Sequence, residues 1–456
     1  MYHLNETEDK TMSEHRTSRD GFTSRWGFIL ACIGSAVGMG NIWRFPIMVS
    51  RYGGLTFLIP YFIFVILIGS TGVMGEFALG RAARSGPMGA FAMCTEMRGK
   101  RNLGKAIGVL PVLGSLGLGI GYTVVMGWVF KYAFMAFSGE LYGMGQDMAV
   151  IGGTFDSVAA GWGNNLWVII AAAVTLVILA LGISKGIERA NKILMPTLFG
   201  LFVVLAVYIA FLPGSGAGYR YIFTLNVEGF ANPEVWIYAF GQAFFSLSVA
   251  GNGSVIYGSY LSDKENIPAS ARNVALFDTM AALLAAFVIL PAMAAGGVSC
   301  DTSGPGLMFI YLVNVLNGMA IGRIVGIVFF VCILFAGVTS IINMYEVSVA
   351  FMQEHARMKR IPATALVMVV GGVVAVCIQA ITSQWMDVVS IYICPLGALL
   401  AGVMLFWVAC KKFAEEQVNR GAAKPIGKWF VPVGKYLYCA LALAALVAGC
   451  VIGAIG

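Results

Sequence analysis

The chain has 456 residues, of which 59% are hydrophobic and 11% charged. Soluble domains carry about 25% charge, so a water-soluble enzyme or nucleic-acid-binding module is excluded, and the mean hydropathy of +0.84 points to lipid. The net charge of +7 comes from basic residues concentrated between apolar segments; it is topogenic and implies no nucleic-acid partner.

In chain order, apolar segments long enough for a hydrocarbon core of about 30 Å fall at 26–50, 55–80, 106–138, 165–183, 193–213, 233–260, 271–298, 321–352, 362–382, 386–410 and 433–455. These eleven unbroken runs predict a polytopic helical membrane protein rather than a β-barrel. Residues 1–20 are polar and lack a signal-peptide pattern, so the first span is expected to serve as its own targeting signal. Alternate loops hold 24 of the 29 basic residues. That asymmetry predicts a cytoplasmic N-terminus and, after an odd number of spans, an extracellular or periplasmic C-terminus, in the cell (plasma) membrane. The nine cysteines are scattered without metal-ligand spacing, and no P-loop or zinc-protease motif occurs. No nucleophile stands beside a base, so an enzyme is not expected.

Two spans are interrupted. The first contains GSAVGMGNIWRFP from Gly34 to Pro46, with three glycines, Asn41 and Arg44 inside an apolar run. The sixth contains FSLSVAGNGSVIYGSY from Phe245 to Tyr260, broken by Ala250, Gly251, Asn252 and Gly253. Glycine weakens helix, and unwound backbone at membrane depth is tolerated only where it lines a buried site. Paired breaks five spans apart predict an inverted repeat around a central site. The expected organisation is an N-terminal tail at 1–25 and one transporter domain at 26–456. Its repeats would run from about 26 to 213 and 233 to 410, with a peripheral eleventh helix at 433–455.

At these residues the chain resembles the neurotransmitter:sodium symporter family, in its bacterial amino-acid-transporting branch. The resemblance rests on GNIWRFP at 40–46, Gly53-Gly54, SKGIERANKILMP at 184–196, GQAFFSLS at 241–248, GPGLMFI at 304–310 and AGVTSIINMYE at 336–346. It implies an all-α fold of eleven transmembrane helices in a 5+5 inverted repeat, with helices 1 and 6 unwound and one helix peripheral.

Sodium wants several oxygen ligands, as other hard cations do. The resemblance implies a first sodium site at the Ala36 carbonyl, Asn41, Ser246 and Asp278, and a second at the carbonyls of Gly34, Val37 and Ala336 with the hydroxyls of Thr339 and Ser340. By itself, Asn41 also reads as an interhelical hydrogen-bonding residue, and Thr339 and Ser340 alone read first as hydroxyls bonded back to the preceding turn; the family motifs favour ligation for all three. Asp278 is a carboxylate inside a helix, where charge is costly. It would supply the negative charge that other members obtain from chloride, so no chloride requirement is expected; the competing reading is a structural carboxylate near the cytoplasmic end.

An amino-acid substrate would meet Ala36, Gly38, Gly40 and Ser246 at the breaks, and the Tyr122 hydroxyl. Its side chain would pack against Leu118, Phe245, Ser248, Gly251, Ser340 and Met344. That wall is mostly apolar, which favours a bulky hydrophobic side chain. The resemblance further implies an outer gate of Arg44 and Asp387 under a Phe245–Tyr122 lid, and an inner gate pairing Arg19 with Glu354 beside Tyr260 and Glu346. Helices 1, 2, 6 and 7 would rock against 3, 4, 8 and 9, and helix 5 would loosen between Gly186 and Pro196. The implied function is sodium-coupled import of an aromatic or branched amino acid. Alternatives are another small amine or a betaine as substrate, or a non-transporting amino-acid sensor on the same fold.

Overall fold

The computed structural model of the protein describes residues 21–249, 251–297 and 306–452. Among the described residues there is no strand, as lipid demands of a chain that must satisfy its backbone within each segment. Eight helices among the described residues are long and apolar enough to cross a membrane: helix 2 (Leu55–Ala83), helix 3 (Arg101–Ser138), helix 5 (Ile183–Ala210), helix 7 (Ile267–Ala295), helix 8 (Gly322–His355), helix 9 (Arg360–Cys377), helix 10 (Gln379–Val408) and helix 11 (Phe430–Val451). Helix 1 adds a bent span, Arg25–Ala36 and Gly40–Tyr52, whose halves meet at 56°. Helix 4 (Asn165–Ala180) is shorter, and helix 6 comes in two pieces, Pro233–Ser246 and Gly253–Ser259. The described residues thus hold the eleven predicted segments of a multi-pass membrane protein, with the first and sixth broken.

Local chemistry accounts for the breaks. The Ser24 hydroxyl caps the first half of helix 1 by accepting from the Gly27 amide at 3.0 Å. That half ends where Val37 turns extended (φ −71°, ψ 102°). The chain re-enters as a wide π turn at Gly40–Arg44 and an α-helix at Phe45–Tyr52. Gly53 then stops it in the left-handed region at φ 85°, where glycine carries no Cβ penalty.

Helix 5 differs from its expected bounds. It starts at Ile183, ten residues before the predicted 193, as a π turn over Ile183–Glu188. Hydropathy read this charged stretch as loop. Here Lys185, Arg189 and Lys192 face outward while Glu188 and Asn191 are buried, so the segment is an amphipathic helix end. Short helices in the connections, among them Pro87–Glu96, Met148–Ala159 and Leu307–Asn317, also lay below the length that hydropathy detects. Helix 1 packs against helices 5, 6, 7 and 8, and helix 3 lies along helix 8. The broken segments therefore sit at the centre of the bundle. Helices 4, 5 and 9 turn Ile169, Val177, Val204, Val207, Val369 and Val373 outward.

Candidate functional site

The breaks leave carbonyls that helical bonding no longer satisfies, and side chains of the opposite break take them up. Ser248 lies in the left-handed region at φ 57°, and its hydroxyl donates to the Ser35 carbonyl at 2.7 Å. Gln242 Nε2 on helix 6 donates to the Gly40 carbonyl at 2.9 Å. Asn252 is also left-handed, at φ 52°, a conformation that asparagine tolerates better than most residues. Its amide reaches Glu76 Oε1 on helix 2 at 3.2 Å and the Val249 carbonyl at 3.4 Å. Ala250 lies outside the described residues.

Between the breaks is a small cavity. All eleven residues expected to meet substrate line it: Ala36, Gly38 and Gly40 from helix 1, Leu118 and Tyr122 from helix 3, Phe245, Ser246, Ser248 and Gly251 from helix 6, and Ser340 and Met344 from helix 8. Ser35, Ser115, Gly253 and Asn343 also line it and were missed. Ser115 donates to the Met344 carbonyl at 2.9 Å, and a small hydroxyl amid the glycines of helix 3 was the available signal. A Cβ on Gly38 would stand 2.7 Å from Ser340 Oγ, whereas one on Gly251 would meet nothing within 4 Å. Backbone approaches closely at the first and leaves open space at the second.

Asn41, Ser246 and Asp278, from three helices, come together under the cavity. Asn41 Nδ2 donates to Asp278 Oδ1 at 2.8 Å and Ser246 Oγ at 3.0 Å. Ser246 Oγ donates to Asp278 Oδ2 at 2.8 Å, and Asn41 Oδ1 accepts from the Gly38 amide at 3.1 Å. Asp278 is fully buried, and among the described residues no Lys, Arg or His lies within 4.0 Å of its carboxylate. Buried carboxylates ordinarily have a cationic partner. Neutral donors alone surround this one, which fits a small cation.

A second cluster joins helices 1 and 8. Ser340 Oγ lies 3.2 Å from both the Gly34 and Val37 carbonyls. Thr339 Oγ1 bonds back within helix 8, to Phe335 O at 2.9 Å and Ala336 O at 3.0 Å. The two hydroxyls thus behave differently, Ser340 reaching across to Gly34 and Val37 and Thr339 bonding back to Ala336.

Of the expected gate residues, Arg44 sits over the Phe245 ring at 5.3 Å. Among the described residues it makes no ion pair with Asp387, which is exposed, so the direct bridge is not present. Arg19 lies outside the described residues. Glu354 accepts from the Gly86 amide at 3.3 Å and from the Ser85 hydroxyl. The Tyr260 hydroxyl donates to Glu346 at 2.6 Å. Glu346 is fully buried and pairs through both oxygens with Arg360, at 2.8 and 2.6 Å. Sequence reasoning took Arg360 for a plain loop charge. It also missed Glu188, whose carboxylate accepts from the Thr23 amide at 2.6 Å, the Thr23 hydroxyl at 2.7 Å and the Ser24 hydroxyl at 2.9 Å, with Lys192 at 2.6 Å.

The fold and the sequence both have known counterparts. The crystal structure of MhsT in complex with L-phenylalanine superposes with a TM-score of 0.84 at 31% identity, covering 94% of this chain and 99% of that one. An uncharacterized sodium-dependent transporter of Bacillus subtilis, YhdH, is 33% identical over 350 residues, 76% of this chain and 75% of its own. An uncharacterized sodium-dependent transporter of Methanocaldococcus jannaschii is 28% identical over 442 residues, 92% of this chain and 87% of its own. The profile of the Sodium:neurotransmitter symporter family matches residues 19–146 and 154–451. That match runs through both broken helices and every wall of the cavity, and the chain belongs to the sodium:neurotransmitter symporter family.

Proposed function

We infer that this protein is a sodium-coupled symporter that imports a hydrophobic amino acid, aromatic or branched, by alternating access and without chloride. The single observation that carries this reading is the buried Asp278 carboxylate, bonded among the described residues only to Asn41 and Ser246, beneath a cavity whose wall includes Gly38 and Tyr122. One sodium ion at Ala36, Asn41, Ser246 and Asp278 would satisfy that charge and face the substrate carboxylate above it. The carboxylate would also meet the Tyr122 hydroxyl and the helix 1 amides near Gly38. A second sodium ion would occupy the oxygens of Gly34, Val37, Ala336, Thr339 and Ser340. The apolar wall of Leu118, Phe245 and Met344 and the open space beside Gly251 suit a bulky hydrophobic side chain, and MhsT was crystallised with L-phenylalanine.

Coupling follows from differential affinity. Sodium at the first site adds an electrostatic contact to the substrate carboxylate, so each strengthens the other's binding. Arg44 over Phe245 closes the outer side as substrate draws helices 1 and 6 together. On the other side, which the positive-inside asymmetry places in the cytoplasm, the Tyr260–Glu346–Arg360 cluster and the Glu188 clamp part to open the inner path. Helices 1, 2, 6 and 7, drawn from the repeats at about 26–213 and 233–410, rock against helices 3, 4, 8 and 9, with helix 11 outside them.

The test is uptake of radiolabelled amino acids into proteoliposomes under an inward sodium gradient, in chloride and in gluconate. Accumulation that needs sodium, ignores chloride and is lost in Asn41→Ala supports the reading. Sodium-independent binding without accumulation moves the function to sensing, and competition by betaine but not phenylalanine changes the substrate class.

A further inference from the structure

Helix 5 presents two buried polar side chains to helix 1, one turn apart. Each is received by a glycine, and those glycines stand seven residues apart on one helix 1 face. A Cβ on Gly27 would collide with the Glu188 carboxyl, and one on Gly34 with Asn191 Oδ1. Glu188 is fully partnered, as described above. Asn191 is not. It is completely buried, its Nδ2 donates to the Ile187 carbonyl at 2.8 Å, and its Oδ1 has no hydrogen-bond partner. The bond to Ile187 settles the amide's orientation, because only the NH₂ end can face a carbonyl. The bare oxygen therefore points at Gly34, where a Cβ would also stand 2.9 Å from the Thr339 Cβ. A buried acceptor without a donor is costly, and this one packs against Gly34, a residue of the second oxygen cluster.

We propose that Asn191 Oδ1 is a further oxygen ligand of the second sodium ion, which makes helix 5 part of that site. This rests on the assignment of Gly34, Val37, Ala336, Thr339 and Ser340 to sodium. The Glu188 clamp on Thr23 and Ser24 holds helix 5 against helix 1.

The test uses full-length purified protein, with ²²Na⁺ binding and melting temperature as a function of sodium chloride against potassium chloride. In Asn191→Leu, the sodium concentration for half-maximal binding and stabilisation should rise about fivefold or more, while melting in potassium stays near the parent value. Asn191→Asp, which keeps an oxygen, should bind sodium as tightly as the parent or more so. Combining Asn191→Leu with Thr339→Ala should cost less than the product of the single effects, because both act on one ion. Should the leucine variant not fold, Asn191→Ala carries the same comparison. A parent-like sodium midpoint in a folded Asn191→Leu or Asn191→Ala protein overturns the proposal. So does equal destabilisation in sodium and potassium, which is what a purely structural amide gives. If the parent itself shows no sodium-dependent stabilisation, the sodium assignment falls and the inference with it.

Discussion

The Ser248 hydroxyl donates a 2.7 Å hydrogen bond to the Ser35 carbonyl, so the break in helix 6 is tied to the break in helix 1. Ser35 lies in the last turn of the first half-helix, where carbonyls lose their helical partners. Ser248 holds φ at 57° to reach it, and both residues line the cavity. The two broken segments can move as a pair because each satisfies the other.

Removing that link should loosen the site without unfolding the protein. An intramolecular hydrogen bond is worth about 0.5–1.5 kcal/mol net, so Ser248→Ala should weaken substrate binding by about two- to tenfold. Ser248→Gly relieves the left-handed backbone but loses the same bond, and should fall between parent and alanine variant. Equilibrium binding of labelled phenylalanine in saturating sodium measures both.

Asp278 offers a direct reading of the charge at the first cluster. A unit charge about 4 Å from a cation contributes about 4 kcal/mol at an effective dielectric of about 20. Even part of that makes the sodium requirement of Asp278→Asn at least about tenfold higher. Chloride should partly restore the asparagine variant and leave the parent unchanged. Initial uptake rates across a sodium titration, in chloride and in gluconate, distinguish the two. Parent uptake that stops in gluconate would remove the argument for Asp278 as the compensating charge.

Gly251 should govern side-chain size. A Cβ there meets nothing within 4 Å, so Gly251→Ala folds without strain but intrudes on space that a large substrate would use. Overfilling a packed site costs about 1–3 kcal/mol. Affinity for tryptophan and phenylalanine should therefore drop more than affinity for valine or alanine. A uniform loss across all four would place Gly251 in backbone flexibility instead of substrate selection.

The Glu346–Arg360 pair should matter most to stability. Glu346 is fully buried, and removing one member of a buried pair costs about 3–5 kcal/mol because the other charge is stranded. Arg360→Met should lower the melting temperature sharply, and adding Glu346→Gln to it should recover much of the loss. The melting temperatures of the two single variants and the double variant, in one detergent, give the coupling between them.

Hydropathy alone placed the spans, because each must bury about 20 apolar residues in lipid and therefore announces itself locally. The breaks were equally legible, since glycine and asparagine inside such a run have few other uses. Resemblance pointed to the eleven cavity residues, and the cavity gathers all of them. Arg360, Glu188 and Asn191 were not legible. Each sits in a short charged stretch that looks like loop, and its partner lies elsewhere in the chain: Glu346 for Arg360, Thr23 and Ser24 for Glu188, and Gly34 facing Asn191.

The sequence by itself determined that this is a helical membrane protein, where its apolar segments lie and which helices are broken, because lipid imposes those rules segment by segment. Only the tertiary structure decided that Asp278 has no cationic partner among the described residues, that Arg44 lies over Phe245 without pairing with Asp387, and that Asn191 presents a bare oxygen to Gly34. Whether a buried polar group is satisfied depends on atoms brought from distant helices to within about 3 Å, and no local pattern of residues specifies that distance.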